Sequence, residues 1–272
     1  MVRRRSVDAY RWFFSCLPTS PPTMSNKQLI IVLAIVGLLS AGLGVVITSK
    51  TMPKEVTVSL DVGGGEKMAE ARVRANENAA IATLRSIATA QQQFQSSGSI
   101  DTDDDGGGEY AFFGEMAGTV TPRGRTEPQD PAYQPTAFGN FTDGGCVERQ
   151  GYLYRIFLPG SEGTPPISAV GEAVGGGWNV QGPSVGSSNA EIIWCCYAWP
   201  TDAGKAGKRA FFINQSGDVT EMANEKGTYS GSRTPSAYAA FDNSSAKGLG
   251  VMPSYGMGRT TANDGQDWTV LR

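Results

Sequence analysis

The stretch EKMAEARVRANENAAIATLRSIATAQQQFQSS, residues 66–97, contains neither proline nor glycine and is typical of one long helix. Apolar residues recur along it at helical spacing, and the polar Gln91 lies on the same stripe. They are Val73, Ile81, Leu84, Ile87, Ala88 and Phe94. Such a stripe predicts an amphipathic helix that packs on the core of its own domain. Packing on a partner helix is the minor alternative.

The chain after this helix is predicted to form an antiparallel sheet. Four segments alternate polar and apolar residues or are rich in aromatic and β-branched residues. They are residues 151–158, 191–199, 209–214 and 218–222. Stretches rich in Pro and Gly at 119–150 and 159–190 predict long loops. We therefore expect an α+β domain over residues 66–226, followed by a partly ordered, Gly/Ser-rich tail over residues 227–272.

Residues 29–47 are nineteen residues without a charge. As a helix they would extend roughly 28 Å, close to the thickness of a bilayer's hydrocarbon core. A cleaved signal peptide is the alternative, although its apolar region is usually shorter, at about 7–15 residues. The sequence thus predicts an N-terminal transmembrane helix, joined to the domain by a linker with a short strand at residues 48–65.

The orientation of this helix is predicted from the basic residues before it. They are Arg3, Arg4, Arg5, Arg11 and Lys27. Positive charge tends to remain on the cytoplasmic side, which predicts a single-pass protein of the bacterial inner membrane with its C-terminal domain outside the cytoplasm. Met24 is an alternative initiator within the N-terminal segment, residues 1–28, and starting there would remove most of the charge bias.

The composition excludes several kinds of chemistry. The chain has no histidine, which removes Ser-His-Asp triads, Cys-His dyads and every zinc site that uses histidine. A GxSxG pattern at residues 182–186 therefore has no histidine base, and we predict that the protein is not an enzyme. The formal net charge of -3 provides no basic field for nucleic acid, so no nucleic-acid partner is predicted.

Three cysteines fall in the part of the chain that is predicted to be exported. In an oxidising compartment, Cys146 would pair with Cys195 or with Cys196, and the adjacent pair leaves the choice open. Three buried free thiols are the alternative. None of the cysteines lies in a CxxC pair, so a structural zinc site is not expected.

The acidic run that follows the helix resembles the first half of an EF-hand loop. Asp101, Asp103 and Asp105 occupy positions one, three and five, and Gly106 permits the sharp turn. Glu109 falls at position nine, but position twelve is Phe112 rather than a bidentate Glu. The sequence thus predicts a weak calcium site formed by the three aspartates and Glu109. A solvated acidic loop is the alternative.

Two stretches resemble bacterial type IV pilins and type II secretion pseudopilins. Residues 28–41 are similar to the apolar start of the pilin helix, and residues 76–91 are similar to its lower part. The resemblance implies a long helix packed on an antiparallel sheet of about four strands. The processing motif is missing, because Thr23 and Gln28 stand where the family has glycine and glutamate. A permanently anchored relative is therefore expected.

The resemblance implies a pilin-like structural or accessory protein of a secretion or envelope assembly. Small residues at Ala34, Gly37, Ala41 and Gly44 share one face of the apolar helix and would let other pilin-like subunits approach closely, although such residues are common in membrane helices. The alternative function is an extracytoplasmic binding module for a glycan or peptide. Four aromatic residues would then stack on the ligand, although such rings more often pack in a core. They are Trp178, Trp194, Tyr197 and Trp199.

Overall fold

The computed structural model describes residues 63–142, 144–161, 168–241 and 260–271. They belong to one compact unit that spans Asp61–Arg272. The predicted transmembrane helix at residues 29–47, the segment before it and nearly all of the linker lie outside the described residues.

The principal helix, α1, spans Gly63–Ser96. Residues 65–72 are exposed on every face, and burial begins only at Val73. From there the helix buries Leu84, Ile87 and Phe94 completely. It ends where Gly98 adopts a positive φ of 62°, a conformation that glycine takes at little cost. The helix therefore contacts the domain through its C-terminal two thirds.

Eight strands form the sheet in the described residues. They are β1 (Val147–Arg149), β2 (Tyr152–Pro159), β3 (Ala169–Gly171), β4 (Cys195–Pro200), β5 (Ala210–Asn214), β6 (Thr220–Met222), β7 (Thr260–Thr261) and β8 (Asp267–Val270). Their order is β1-β2-β4-β5-β6-β8-β7, with β3 also paired to β2, and every pairing is antiparallel. Two short helices, α2 (Phe113–Met116) and α3 (Ser187–Ala190), lie in the connections.

Both faces of the sheet are covered, and side chains alternate between the two faces with a period of two. In β2, Tyr154 and Ile156 face α1, whereas Leu153 and Phe157 face the opposite side. The tail covers that second face, where Trp268 is completely buried and lies 6.0 Å from the Tyr197 ring.

The predicted fold class, a transmembrane helix followed by a long amphipathic helix on a pilin-like sheet, is wrong. The described residues form a mostly antiparallel sheet with one helix of more than six residues. This helix does not bury one apolar face along its length: its start is exposed, and its buried face includes Glu77 and Gln91. The sheet is also larger than the pilin-like sheet that was expected, because β7 and β8 from the tail extend it.

The prediction of a single-pass inner-membrane protein is also corrected. Among the helices of the described residues, none combines the length and the apolar character that crossing a bilayer requires. The one long helix carries charged side chains such as Glu66, Arg74 and Arg85, and charges at the centre of a bilayer are costly.

The predicted disulfide is absent. Cys146, Cys195 and Cys196 are all buried free thiols. Cys146 precedes β1 and the other two cysteines lie in β4, with β2 between these strands. Two strand spacings amount to about 10 Å, whereas disulfide-bonded residues have Cα atoms within about 7 Å. Burial raises the pKa of each of the three thiols, which opposes formation of the reactive thiolate.

Candidate metal centre

The acidic loop, residues 100–109, follows the end of α1 and is closed by a backbone hydrogen bond at its base. The Glu109 N–H donates to the Ile100 carbonyl at 2.9 Å. Within the loop, Asp104 and Gly106 adopt positive φ angles of 56° and 91°, so the chain curls tightly. Asp and Gly are among the residues that tolerate this conformation best. The curl brings alternate aspartates to one side of the loop.

The three predicted aspartate ligands do converge. One carboxylate oxygen from each of Asp101, Asp103 and Asp105 lies within 4.8 Å of the others. Calcium binds oxygen at about 2.3–2.6 Å, so ligands around one ion lie up to about 5 Å apart. Two of the carboxylates also stabilise the loop, because Asp101 accepts the Gly106 N–H at 3.0 Å and Asp105 accepts the Gly107 N–H at 2.8 Å.

The fourth predicted ligand, Glu109, lies outside this group. Its Oε1 accepts hydrogen bonds from the Thr102 N–H at 2.8 Å, from the Thr102 hydroxyl and from the Ser187 hydroxyl at 2.7 Å. Its Oε2 lies 3.4 Å from Nη2 of Arg123. Glu109 therefore links Thr102 in the loop to Ser187 at the start of α3.

Glu191, which sequence analysis assigned to a strand, lies beside the three aspartates instead. It follows directly after α3, whose last residue, Ala190, accepts the Tyr110 N–H at 2.8 Å. A Cβ at position 107 would lie 2.3 Å from Oε2 of Glu191 and 3.0 Å from Oδ1 of Asp105. Gly107 thus provides the space that the Glu191 carboxylate occupies next to Asp105.

The electrostatic environment of Glu191 is strongly acidic. Desolvation raises the pKa of this carboxyl, and four neighbouring carboxylates raise it further. They are, in decreasing order of effect, Asp105, Asp103, Glu109 and Asp101. Repulsion among like charges disfavours the ionised form, and a bound cation would relieve it.

A buried carboxylate network continues from this loop into the domain. Glu115 accepts the Phe112 N–H at 2.8 Å and the Arg123 N–H at 3.1 Å. Glu172 accepts N–H groups from Phe113 and Gly114, at the start of α2, and from Gly177. Burial raises the pKa of Glu172 to about 8, although these donors lower it in part. Sequence analysis missed both glutamates, because local spacing does not indicate their contacts.

The aromatic residues considered for glycan binding lie mainly in the core. Trp194 is 1% exposed, and Tyr197 and Trp199 are completely buried. Trp178 is partly buried and donates from Nε1 to the Pro183 carbonyl at 2.9 Å. Trp194, Tyr197 and Trp199 therefore offer no free ring face on which a sugar can stack.

Comparison of the chain with protein-family models, curated proteins and solved structures finds no match.

Proposed function

We propose that this protein is a non-catalytic structural or interaction protein whose folded unit is stabilised by calcium bound to the acidic loop. The observation that carries the proposal is the convergence of three carboxylate oxygens, from Asp101, Asp103 and Asp105, within 4.8 Å. Carboxylate oxygens are the ligands that calcium prefers in proteins. An ion at this point would order the junction between the end of α1 and the rest of the domain.

Two observations favour a non-catalytic role: the residue types in the sequence and the contacts of the buried carboxylates. The chain has no histidine, the commonest general base. The buried carboxylates Glu109, Glu115 and Glu172 each accept backbone N–H groups. Such contacts fix loops and helix ends, which is a structural task.

Thermal unfolding of the full-length protein in calcium and in chelator tests this function. At 10 mM calcium, a dissociation constant of about 10⁻⁴–10⁻³ M would stabilise the folded state by roughly 1.4–2.7 kcal/mol. For a domain of this size, that corresponds to a Tm increase of roughly 3–10 °C. The triple variant Asp101→Asn, Asp103→Asn, Asp105→Asn should lose this increase.

The matched control is Glu225→Gln, which removes one exposed carboxylate that lies between β6 and the tail. It should keep the full response to calcium. If the wild-type protein melts at the same temperature in 10 mM calcium and in chelator, the proposed function is refuted.

A further inference from the structure

A cavity of about 540 Å³ opens at the edge of the sheet where β2 changes partners. On that edge β1 pairs with residues 152–154 of β2 and β3 pairs with residues 157–159, so a gap separates the two short strands. Arg155 of β2 lies at this gap and lines the cavity. The volume is in the range that small-molecule sites occupy in proteins.

Arg155 carries a positive charge for which the described residues provide no counter-ion. The residue is half-buried, and its Nε is buried without a hydrogen-bond partner. No carboxylate of the described residues forms an ion pair with it, whereas the half-buried Arg209 contacts both Glu77 and Glu221. Because a buried donor without a partner costs free energy, an acceptor that enters the cavity beside Arg155 would be stabilised.

The guanidinium of Arg155 is held in one place by its neighbours. It lies over the Phe157 ring, at 5.1 Å from the ring centroid. A Cβ at position 171 would lie 3.0 Å from Nη2 and 3.3 Å from Nε of Arg155, so Gly171 lets the guanidinium lie close to the backbone of β3. A guanidinium that is already positioned loses less conformational freedom when it binds a ligand.

We infer that this cavity binds a small carboxylate ligand with a short apolar body, and that Arg155 pairs with the carboxylate. The guanidinium and carboxylate groups are both planar and can form two parallel hydrogen bonds. Asn179, which also lines the cavity, uses its Oδ1 to accept the Gln181 N–H at 3.0 Å and keeps its Nδ2 as a second donor. The inference does not depend on the calcium loop.

The lining of the cavity favours a carboxylate over a phosphate. Arg155 is its only basic member among the described residues, and a phosphate group carries close to two negative charges at neutral pH. Glu172 also lines the cavity, but its carboxylate accepts three backbone N–H groups from other segments. Several apolar residues form the rest of the wall and suit a hydrocarbon body. They are Ala169, Val170, Ala173, Val174 and Pro183.

Nuclear magnetic resonance of the full-length protein with sodium pentanoate, in chelator, tests this inference. Saturation transfer from the protein to the pentanoate methyl group reports binding, and a titration should give a dissociation constant in the millimolar range typical of so small a ligand. Pentanamide has a similar shape without the charge, so it should bind at least about tenfold more weakly. Inorganic phosphate should displace pentanoate only at concentrations well above the dissociation constant of pentanoate.

Variants of the full-length protein locate the binding site. Arg155→Met removes the guanidinium and should weaken pentanoate binding at least about tenfold. The matched control is Arg149→Met, because Arg149 is also half-buried and lies 4.8 Å from the Phe138 ring centroid but does not line the cavity. This control should bind pentanoate as the wild type does. Val174→Glu adds a negative charge at the rim, where the residue is 64% exposed, and should weaken binding without lowering Tm.

The outcomes decide the inference in either direction. Absence of saturation transfer with the wild type, or equal binding of pentanoate and pentanamide, would overturn it. Equal binding by the wild type and Arg155→Met would overturn it too, and so would tighter binding of phosphate than of pentanoate. If Arg155→Met does not fold, Val174→Glu decides the matter, because unchanged binding by that variant would exclude the cavity as the site. Weaker binding by both variants, with unchanged binding by Arg149→Met, supports the inference.

Discussion

The Gln91 side chain of α1 forms two hydrogen bonds to the backbone of the segment that leaves the acidic loop. The side chain is completely buried. Its Nε2 donates to the Ala111 carbonyl at 2.7 Å, and its Oε1 accepts the Ala111 N–H at 3.0 Å. One side chain thus satisfies both backbone groups of a residue that is itself fully buried. We predict that Gln91→Met, which preserves shape but removes both hydrogen bonds, is strongly destabilising.

The size of the effect follows from these two contacts. Each buried polar group that loses its partner costs about 1–3 kcal/mol. The thioether of Met packs well in an apolar site and recovers part of the loss. The free energy of unfolding should therefore fall by about 2–5 kcal/mol. In a domain of about 200 residues this lowers Tm by roughly 4–20 °C.

Thermal unfolding followed by tryptophan fluorescence measures this change, because Trp194, Trp199 and Trp268 are buried in the unit. The matched control is Gln92→Met, one residue further on, where the side chain is exposed and donates to Gln95 and Ser96 on the helix surface. Gln91→Glu adds a sharper test: it should be destabilising at neutral pH and recover in acid, where a protonated carboxyl restores the donor. Equal melting temperatures for Gln91→Met and Gln92→Met would refute this reasoning.

Three further predictions concern stability in chelator. Glu77→Gln should lower the free energy of unfolding in urea by about 1–3 kcal/mol, because the buried Glu77 carboxylate lies 2.8 Å from Nη2 of Arg209. The control is Glu70→Gln, where the carboxylate is exposed and the change should be less than about 0.5 kcal/mol. Leu84→Ala, at a completely buried site, should cost about 2–5 kcal/mol, and a cost below about 1 kcal/mol would contradict the packing described. Burial raises the pKa of Glu172 from 4.5 to about 8, so the folded state binds this proton more tightly than the unfolded state does. The free energy of unfolding should therefore fall as the pH rises from about 5 to 8. Glu172→Gln should flatten this dependence of stability on pH.

Much of the strand pattern was accessible from local sequence. The predicted strand at residues 151–158 matches β2 to within one residue at each end, because alternation is strong there. The predicted strand at 191–199 begins too early: Ser187–Ala190 form a helical turn, and β4 begins at Cys195. The rest of the fold depends on long-range packing. The tail is low in apolar residues, yet Trp268 and Phe241 from it pack on the second face of the sheet.

The sequence by itself determined the spacing of Asp101, Asp103 and Asp105 and the absence of histidine chemistry, because both are properties of residue type and order. Only the tertiary structure decided that Glu109 supports the loop and that Glu191 stands beside the aspartates. The reason is physical: side chains that are distant in sequence come together through strand order and through single contacts, such as the hydrogen bond from the Tyr110 N–H to the Ala190 carbonyl. Local periodicity reports which face a residue occupies within its own element, but it carries no information about what lies opposite that face.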